Sequence, residues 1–593
     1  MEIRRLEIRN FRGIKELIWK IPAGRGFVAL IGPGDSSKST ILTAIDLALS
    51  ERWNLSFADT DFFDSDISQP ISIQVTLTDL PAEVRDHRVL GMHMCGLDSK
   101  GELHQDPDDD HEACVVIALT VDRELEPRWT AHRPGKDTEE APVTSAARRL
   151  IGAYKVDERI DSHLRWTKTS ALGRLTEMKD GASQLLVEAN RAARAAVSTA
   201  IPEPLQALTR SVQAKMHDLG SGDFSSLQPG LDQSLSSSSG NLALYEGNVP
   251  LTNYGLGSRR LAGVAAQQLA YEGRTFLLVD EIEYGLEPHR LVNLVKQLRR
   301  TDIPGQVLVT THSPTTLQHL EAGDLAVVRA TPEGVVTVTC LNSDDKEVQK
   351  VLRATPEAFL ARRVAIGEGK TEYGLLLGLL ERWDDTLAKT GDPVSAAAGV
   401  VAVEGSGSGT VTTGETLDRL GYEVTLLLDS DVPADVVKAD AFHQRPLATV
   451  VRWQEGFNAE RAVCEVQDAD GLTALIHLAV GLSEHPEDAP TYFLSHLKAE
   501  GLPGDIDSLD VARWTASGVA VEQARELIAS VASKKKWFKQ VHRGIALTDV
   551  LLRGAHLADS VEHQKLVDLR AAIFIPRDTA APGGLGDGEE TAR

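Results

Sequence analysis

The stretch Phe276–Leu286, FLLVDEIEYGL, decides how the rest of the chain is read. Four apolar residues, Phe276, Leu277, Leu278 and Val279, end in two adjacent carboxylates, Asp280 and Glu281. An apolar run this short, bounded by polar residues, predicts a strand buried on both faces. Ligands bind at the carboxyl ends of such strands in α/β folds. Two readings compete. One is a buried strand with a solvated acidic end. The other is a Walker B element, with Asp280 holding Mg2+ and Glu281 positioning a water. The second reading requires a phosphate-binding loop elsewhere.

That loop lies upstream. Phe27–Ile31 (FVALI) reads as a short buried strand, followed by Gly32-Pro33-Gly34-Asp35-Ser36-Ser37-Lys38-Ser39-Thr40 and a helical run, ILTAIDLAL. Strand, Gly-containing loop, Lys-Ser and helix is the context of a P-loop. Its backbone N–H groups and the helix N-terminus favour phosphate oxygens. Lys38 would reach the β- and γ-phosphates of ATP, and Ser39 would ligate Mg2+. Gly usually precedes the Lys, whereas Ser37 stands there. If that position needs a positive φ, Ser costs roughly 1 kcal/mol.

Composition bounds what else the chain can be. At 593 residues, with 42% apolar and 25% charged residues, it reads as a globular protein of about two to four domains. No apolar run approaches the ~20 residues of a membrane span. The start, MEIRRLEIRNF, alternates like a strand and lacks a signal-peptide apolar region. Cys95, Cys114, Cys340 and Cys464 are far apart, which predicts a reducing, cytoplasmic setting and no zinc site. A net charge of −24 argues against a generally basic nucleic-acid binder. Any such function must rest on a local site.

Residues 55–130 read as antiparallel strands, with Gln69 and Gln74 both open as γ-phosphate sensors. The acidic run Asp106–Glu112 reads as a solvated hairpin tip, because its spacing fits no calcium loop. Residues 140–240 read as a helical insertion and flexible connection, an arm for dimerisation. Its Arg148, Arg149, Arg191 and Arg194 are assigned to a solvated face; Ser236–Ser239 mark the connection. Then come Asn253-Tyr254-Gly255-Leu256-Gly257-Ser258-Arg259-Arg260, the Asp280-Glu281 strand, Gly285-Leu286-Glu287-Pro288, a helix, a strand and Thr311-His312-Ser313-Pro314.

In this order the motifs of residues 1–345 resemble an ABC/SMC-like ATPase head. The resemblance implies ATP binding at Gly32, Gly34, Ser37, Lys38, Ser39 and Thr40. It makes Gly255 and Gly257 the signature loop, Asp280 and Glu281 the Walker B pair, and His312 the switch histidine. It also implies ATP sandwiched between subunits, hence a homodimer or tetramer. Tyr254 stands where the signature usually has Ser.

Residues 346–362 read as a charged connector, and 363–576 as a second α/β domain. Val364–Gly367 ends in Glu368, with a helix following; Val400–Val403 ends in Glu404; Thr425–Leu428 ends in Asp429-Ser430-Asp431. Asp429 and Asp431 are two apart and project on one side of an extended chain. With Glu368 they form an oxygen donor set suited to Mg2+ or Mn2+. This pattern resembles a TOPRIM domain. An ATPase head followed by TOPRIM resembles the OLD (overcoming lysogenization defect) family, which includes the nuclease of Gabija antiphage defence. The resemblance adds Glu372 and a downstream acid (Glu460, with Glu455 as runner-up) as ligands of a second metal. It also adds a phosphate-contacting Lys from Lys534–Lys539, assigned to Lys535. It implies a DNA endonuclease under ATP control, in defence against phage, with a possible partner protein. Cleavage of RNA such as tRNA, or an ATP-binding scaffold with little turnover, stays open. Residues 577–593 read as a disordered tail.

Overall fold

In a computed structural model, the described residues are 1–135, 141–156, 164–165, 170–177, 203–220, 224, 226–231, 242–270, 276–300, 305–484, 487–554 and 556–575. The chain forms two compact units, Met1–Asp345 and Lys346–Arg593. Arg191, Arg194, Ser236–Ser239 and the tail at 577–593 lie outside the described residues.

The first unit is built on one large mixed sheet. Five neighbouring strands run parallel in the order Ala153–Val156, Phe276–Val279, Gln306–Thr310, Phe27–Ile31 and Leu325–Ala330. Phe276–Val279, Gln306–Thr310 and Phe27–Ile31 are buried at every position, which is why they read as unbroken apolar runs. The sheet continues through Val335–Cys340 into an antiparallel lobe that includes Ile14–Lys20, Glu2–Phe11, Ile71–Thr78 and Glu112–Val121. Gln74 lies within this lobe; Gln69 precedes it and is exposed.

Two features differ from the sequence reading of residues 140–240. Ala153–Val156 (AYKV) is a sheet strand, paired in parallel with Phe276–Val279. Arg148 is 2% exposed; it donates to the carbonyls of Ser50 and Val143, and its guanidinium lies 3.9 Å from the Trp129 ring centroid. The helical part of this region includes Ala171–Glu177 and Glu203–Asp218.

The second unit contains a four-stranded parallel sheet in the order Val400–Glu404, Arg363–Gly367, Glu423–Leu428, Ala448–Arg452. The expected connector is a helix, Lys346–Ala354, because Val348, Val351 and Leu352 give it one apolar face. The helix Lys370–Thr390 follows the second strand of this order and packs on Val541–Leu552. Glycine makes that approach possible: a Cβ on Gly374 would lie 2.4 Å from the Val541 carbonyl oxygen and 2.7 Å from the Gly544 Cα. Gly374→Ala gains about 1 kcal/mol of helix propensity. It is nevertheless expected to destabilise the protein by about 1–3 kcal/mol through overpacking. An unchanged or raised denaturation midpoint would contradict this.

Candidate active sites

The first site forms at the carboxyl ends of adjacent parallel strands in the head. Ser39 Oγ donates to Asp280 Oδ1 at 2.7 Å, and Thr310 Oγ1 donates to the same oxygen at 2.7 Å. The start of the helix Lys38–Leu49, the end of the strand Phe276–Val279 and the strand Gln306–Thr310 between them thus meet at one carboxylate. Lys155, from the edge strand, places its ammonium 3.6 Å from Asp280 Oδ2. Lys38 is 4% exposed and donates to the carbonyls of Gly32 (3.1 Å) and Pro33 (2.6 Å). Burial lowers its pKa to about 8, against the pull of Asp35, Asp280, Glu283 and Glu281. An ammonium buried against neutral carbonyls fits a site for an anion such as a triphosphate.

The loop backbone is strained. Gly32 has φ +139, and a Cβ there would lie 2.4 Å from the Val328 carbonyl oxygen. Ser37 has φ 69 and ψ 17, the left-handed conformation that favours Gly. Ser37→Gly is therefore expected to be tolerated and to raise stability by up to about 1 kcal/mol. A lowered melting temperature or weakened ATP binding would contradict this. Gly34 is exposed in the loop, and Thr40 is half-buried in the helix that follows.

Glu281 also has a positive φ, 46°. Its N–H donates to Thr310 Oγ1 at 2.7 Å, and its carbonyl accepts from Arg260 at 2.7 Å. Arg260, 2% exposed, also donates to the Asp280 carbonyl. This clamp leaves the Glu281 side chain exposed beyond the strand end. His312 is exposed, and its N–H donates to Glu283 Oε1 at 2.6 Å. Partial burial of its ring and then the charge on Lys38 lower its pKa. Gly255 is exposed; Gly257 is buried so close to the Gly285 carbonyl that a Cβ would stand 2.4 Å away. Sequence reading had no signal for Lys155 or Thr310, which lack a motif of their own.

The second site lies at the carboxyl ends of the central strands of the smaller sheet. Gly367 and Leu427 are register partners, so Glu368 and Asp429 leave the sheet side by side. The Asp429 N–H donates to Glu368 Oε2 at 2.9 Å, and Asp429 Oδ1 accepts from the Ala459 N–H at 3.0 Å. Asp431 is exposed beyond them. Glu372, in the first turn of Lys370–Thr390, is 1% exposed; its Oε2 accepts from the Gly369 N–H at 2.9 Å. Glu460, 2% exposed, enters from the first turn of Ala459–Glu465, whereas Glu455 is exposed.

Electrostatics join these carboxylates into one group. Burial, then Glu372, Glu368 and Glu460, push the Asp429 pKa well up. Burial raises Glu368, with contributions from Glu372 and Asp431, and burial also raises Glu372 and Glu460. Burial works against the charge on Lys539, but Glu460, Glu372, Asp429 and Glu368 outweigh it and raise its pKa.

Lys535, the sequence choice, is not in this group. It caps the helix Val521–Lys534, exposed, where its charge acts on His496 and Glu500. The reason is the turn that follows. Trp537 and Phe538 are buried, and Thr371 Oγ1 donates to the Phe538 carbonyl at 3.2 Å, so the next lysine is carried inward. The Trp-Phe pair was the available signal.

Both Oε atoms of Glu460 and Oε1 of Glu372 are buried without a hydrogen-bond donor. A buried, unpaired carboxylate oxygen is costly, and a cation relieves it. All five acids offer hard oxygen donors, so the residues fit Mg2+ or Mn2+. As the side chains stand, no three His, Cys, Asp or Glu among the described residues form a group that could hold a metal ion.

Comparisons with known proteins bear on both units. Residues 27–318 match the family described as "AAA domain, putative AbiEii toxin, Type IV TA system", which supports an ATP-binding ATPase domain. A curated relative, the OLD nuclease of Thermus scotoductus (strain ATCC 700910 / SA-01), is 22% identical over 543 residues, covering 86% of this chain and 97% of its own. Similar solved structures include an SMC head bound to the C-winged helix domain of ScpA (16% identity, TM-score 0.38, 59% of this chain and 100% of that one). Another is the Pyrococcus furiosus Smc head with an extended coiled coil, bound to the C-terminal domain of ScpA (14%, 0.38, 59% and 98%). A third is the SMC head domain from Thermotoga maritima (13%, 0.30, 58% and 100%). Among the described residues, no helix is long and apolar enough to cross a membrane.

Proposed function

We propose, for a chain that belongs with the OLD-family ATPase nucleases, an ATP-regulated, metal-dependent endonuclease that hydrolyses DNA phosphodiesters at the carboxylate cluster of a TOPRIM domain. The observation that carries this reading is the group of buried acids with unpaired oxygens, Glu372 and Glu460, beside Glu368 and Asp429. With Asp431 there are five carboxylates, and Lys539 is the ammonium whose charge they hold; fully ionised, the group carries an excess of four negative charges. Two divalent cations would balance that excess.

Two such cations would supply an activated water and neutralise charge on the attacking and leaving oxygens of an in-line displacement. Glu368, Asp429 and Asp431 would hold one, Glu372 and Glu460 the other. Lys539 would offset charge on the scissile phosphate, the part first assigned to Lys535. Glu368 and Asp429 are oriented for this by their strand ends, and Glu372 and Glu460 by the first turns of their helices. In the head, Ser39 and Asp280 would hold Mg2+, Lys38 the phosphates, and Glu281 a water. ATP binding, with Gly255 and Gly257 of a second subunit completing the site, would regulate access of DNA. Defence against phage, alone or with a partner protein, is the role this family membership suggests.

Incubation with supercoiled plasmid and with tRNA, in Mg2+ or Mn2+, with and without ATP, tests the reading. Plasmid is expected to be nicked or cut, and EDTA is expected to stop it. Intact plasmid beside cut tRNA would replace DNA by RNA as substrate.

A further inference from the structure

We infer that Glu283 is a positioning residue of the ATP site: its carboxylate clips the loop that carries His312 to the turn that carries Glu281. This rests on the ATP-site reading of the head and deepens it.

The strands Phe276–Val279 and Gln306–Thr310 stay in register as far as Val279 and Val309. Beyond that point each chain turns, one through Asp280–Leu286 and the other through Thr311–Ser313 into the helix Pro314–Gln318. Backbone groups join the two turns at their start. The Ile282 N–H donates to the Thr310 carbonyl at 3.0 Å, and the Glu281 N–H to Thr310 Oγ1 at 2.7 Å. Farther out, the Glu283 side chain continues the link. Its Oε1 accepts from the His312 N–H at 2.6 Å, and its Oε2 accepts from Thr311 Oγ1 at 2.8 Å. Thr311 is fully buried, and its hydroxyl oxygen accepts in turn from the Ser313 N–H at 3.1 Å. The arm that holds Glu283 is itself closed. The Tyr284 N–H donates to the Glu281 carbonyl at 2.8 Å, and the Leu286 N–H to the Glu283 carbonyl at 3.0 Å.

The simplest alternative is a counter-ion. Glu283 is one of four carboxylates, with Asp35, Asp280 and Glu281, whose charges act on Lys38. Charge alone does not account for its placement. Asp280 and Glu281 already stand at this strand end, and a further negative charge beside a site for a triphosphate repels the ligand. Both Glu283 oxygens are instead committed to donors of one loop. A carboxylate offers two acceptor oxygens, whereas Gln offers one, with an NH2 in place of the other. Hydrogen bonds to an ionised acceptor are also the stronger ones. The clip fixes where His312 leaves the loop, and it does so from the segment that presents Glu281. The His312 ring stands where the charges on Lys38, Glu283, Glu281 and Asp280 all bear on it. Two groups at the nucleotide thus share one anchor.

The test uses the full chain. In the absence of nucleotide, Glu283→Gln is expected to exchange backbone amides in the peptide 311–318 about tenfold faster, since the His312 N–H loses its acceptor. It is expected to lower kcat for ATP hydrolysis about tenfold, the scale of one lost charge-assisted hydrogen bond, while affinity for the fluorescent analogue mant-ATP stays within about threefold. In a His312→Ala background the same substitution is expected to cost nothing further, because it acts through His312. Thr311→Val removes the other donor, keeps the side-chain shape and is expected to move exchange and kcat in the same directions; it decides the question if Glu283→Gln does not fold. Unchanged exchange in that peptide, or a full further loss of kcat in the His312→Ala background, would overturn the positioning role and leave the ATP-site reading intact. A loss of mant-ATP affinity as large as the loss of kcat would assign the effect to nucleotide binding and also overturn it. A wild type that neither binds nor hydrolyses ATP would overturn both; one that binds ATP without hydrolysis would overturn this role alone.

Discussion

Asp429→Ala is expected to lower phosphodiester cleavage by on the order of 10³-fold, the scale of losing one charge-stabilising group at a catalytic centre. Asp429 is placed to matter more than its neighbours. Its N–H is bonded to Glu368 and its Oδ1 to the first turn of the helix that carries Glu460. It therefore joins the two acids assigned to different cations. Removing the side chain takes away a ligand and an orienting bond together. Stability moves the other way: burial and Glu372, Glu368 and Glu460 all disfavour its ionised form, so the metal-free variant is expected to melt no lower than wild type. Cleavage by the variant at the wild-type rate would remove this carboxylate group as the cutting site. Lys539→Met should show the same direction of effect on cleavage; Lys535→Met should leave the chemical step of bound substrate unchanged.

Glu281→Gln is expected to lower ATP hydrolysis by about 10²–10³-fold while ATP is still bound. The change keeps the shape of the side chain and removes its charge. The backbone that presents it is held independently, by Thr310 Oγ1 on the N–H and Arg260 on the carbonyl. Holding a non-glycine residue at φ 46 costs on the order of 1 kcal/mol, and such strain is retained at sites that use it. Binding depends on other groups, Lys38 and the loop beneath it. If the wild type hydrolyses ATP no faster than Glu281→Gln, the head is a nucleotide-binding scaffold and the Glu281 assignment fails.

The head was legible because its strands are short apolar runs and its candidate site residues sit at their ends. FVALI leads to Lys38-Ser39, FLLV to Asp280-Glu281, and QVLVT to His312. The positive φ at Ser37 followed from the usual Gly at that position. Glu368, Asp429 and Asp431 were singled out by the same rule, acids at or just beyond a strand end. Other residues were not legible, for physical reasons. AYKV is too short and too polar at Lys155 to signal a strand, and pairing with FLLV decides it. Arg148 reads as a surface cation, but Trp129 and two carbonyls give it a buried place. The choice between Lys535 and Lys539 depends on burial of Trp537 and Phe538 against a helix more than 150 positions earlier, which no local pattern encodes. Lys346–Ala354 was hidden by its charged face, although its apolar positions follow a helical period.

The central claim is that the acids of the second unit hold divalent cations for phosphodiester cleavage. Crystals of the full chain soaked in Mn2+ and measured at the manganese absorption edge test it most directly. Anomalous peaks are predicted among Glu368, Asp429 and Asp431 and beside Glu372 and Glu460. Manganese bound at Asp280 and Ser39 with none at those carboxylates would contradict it.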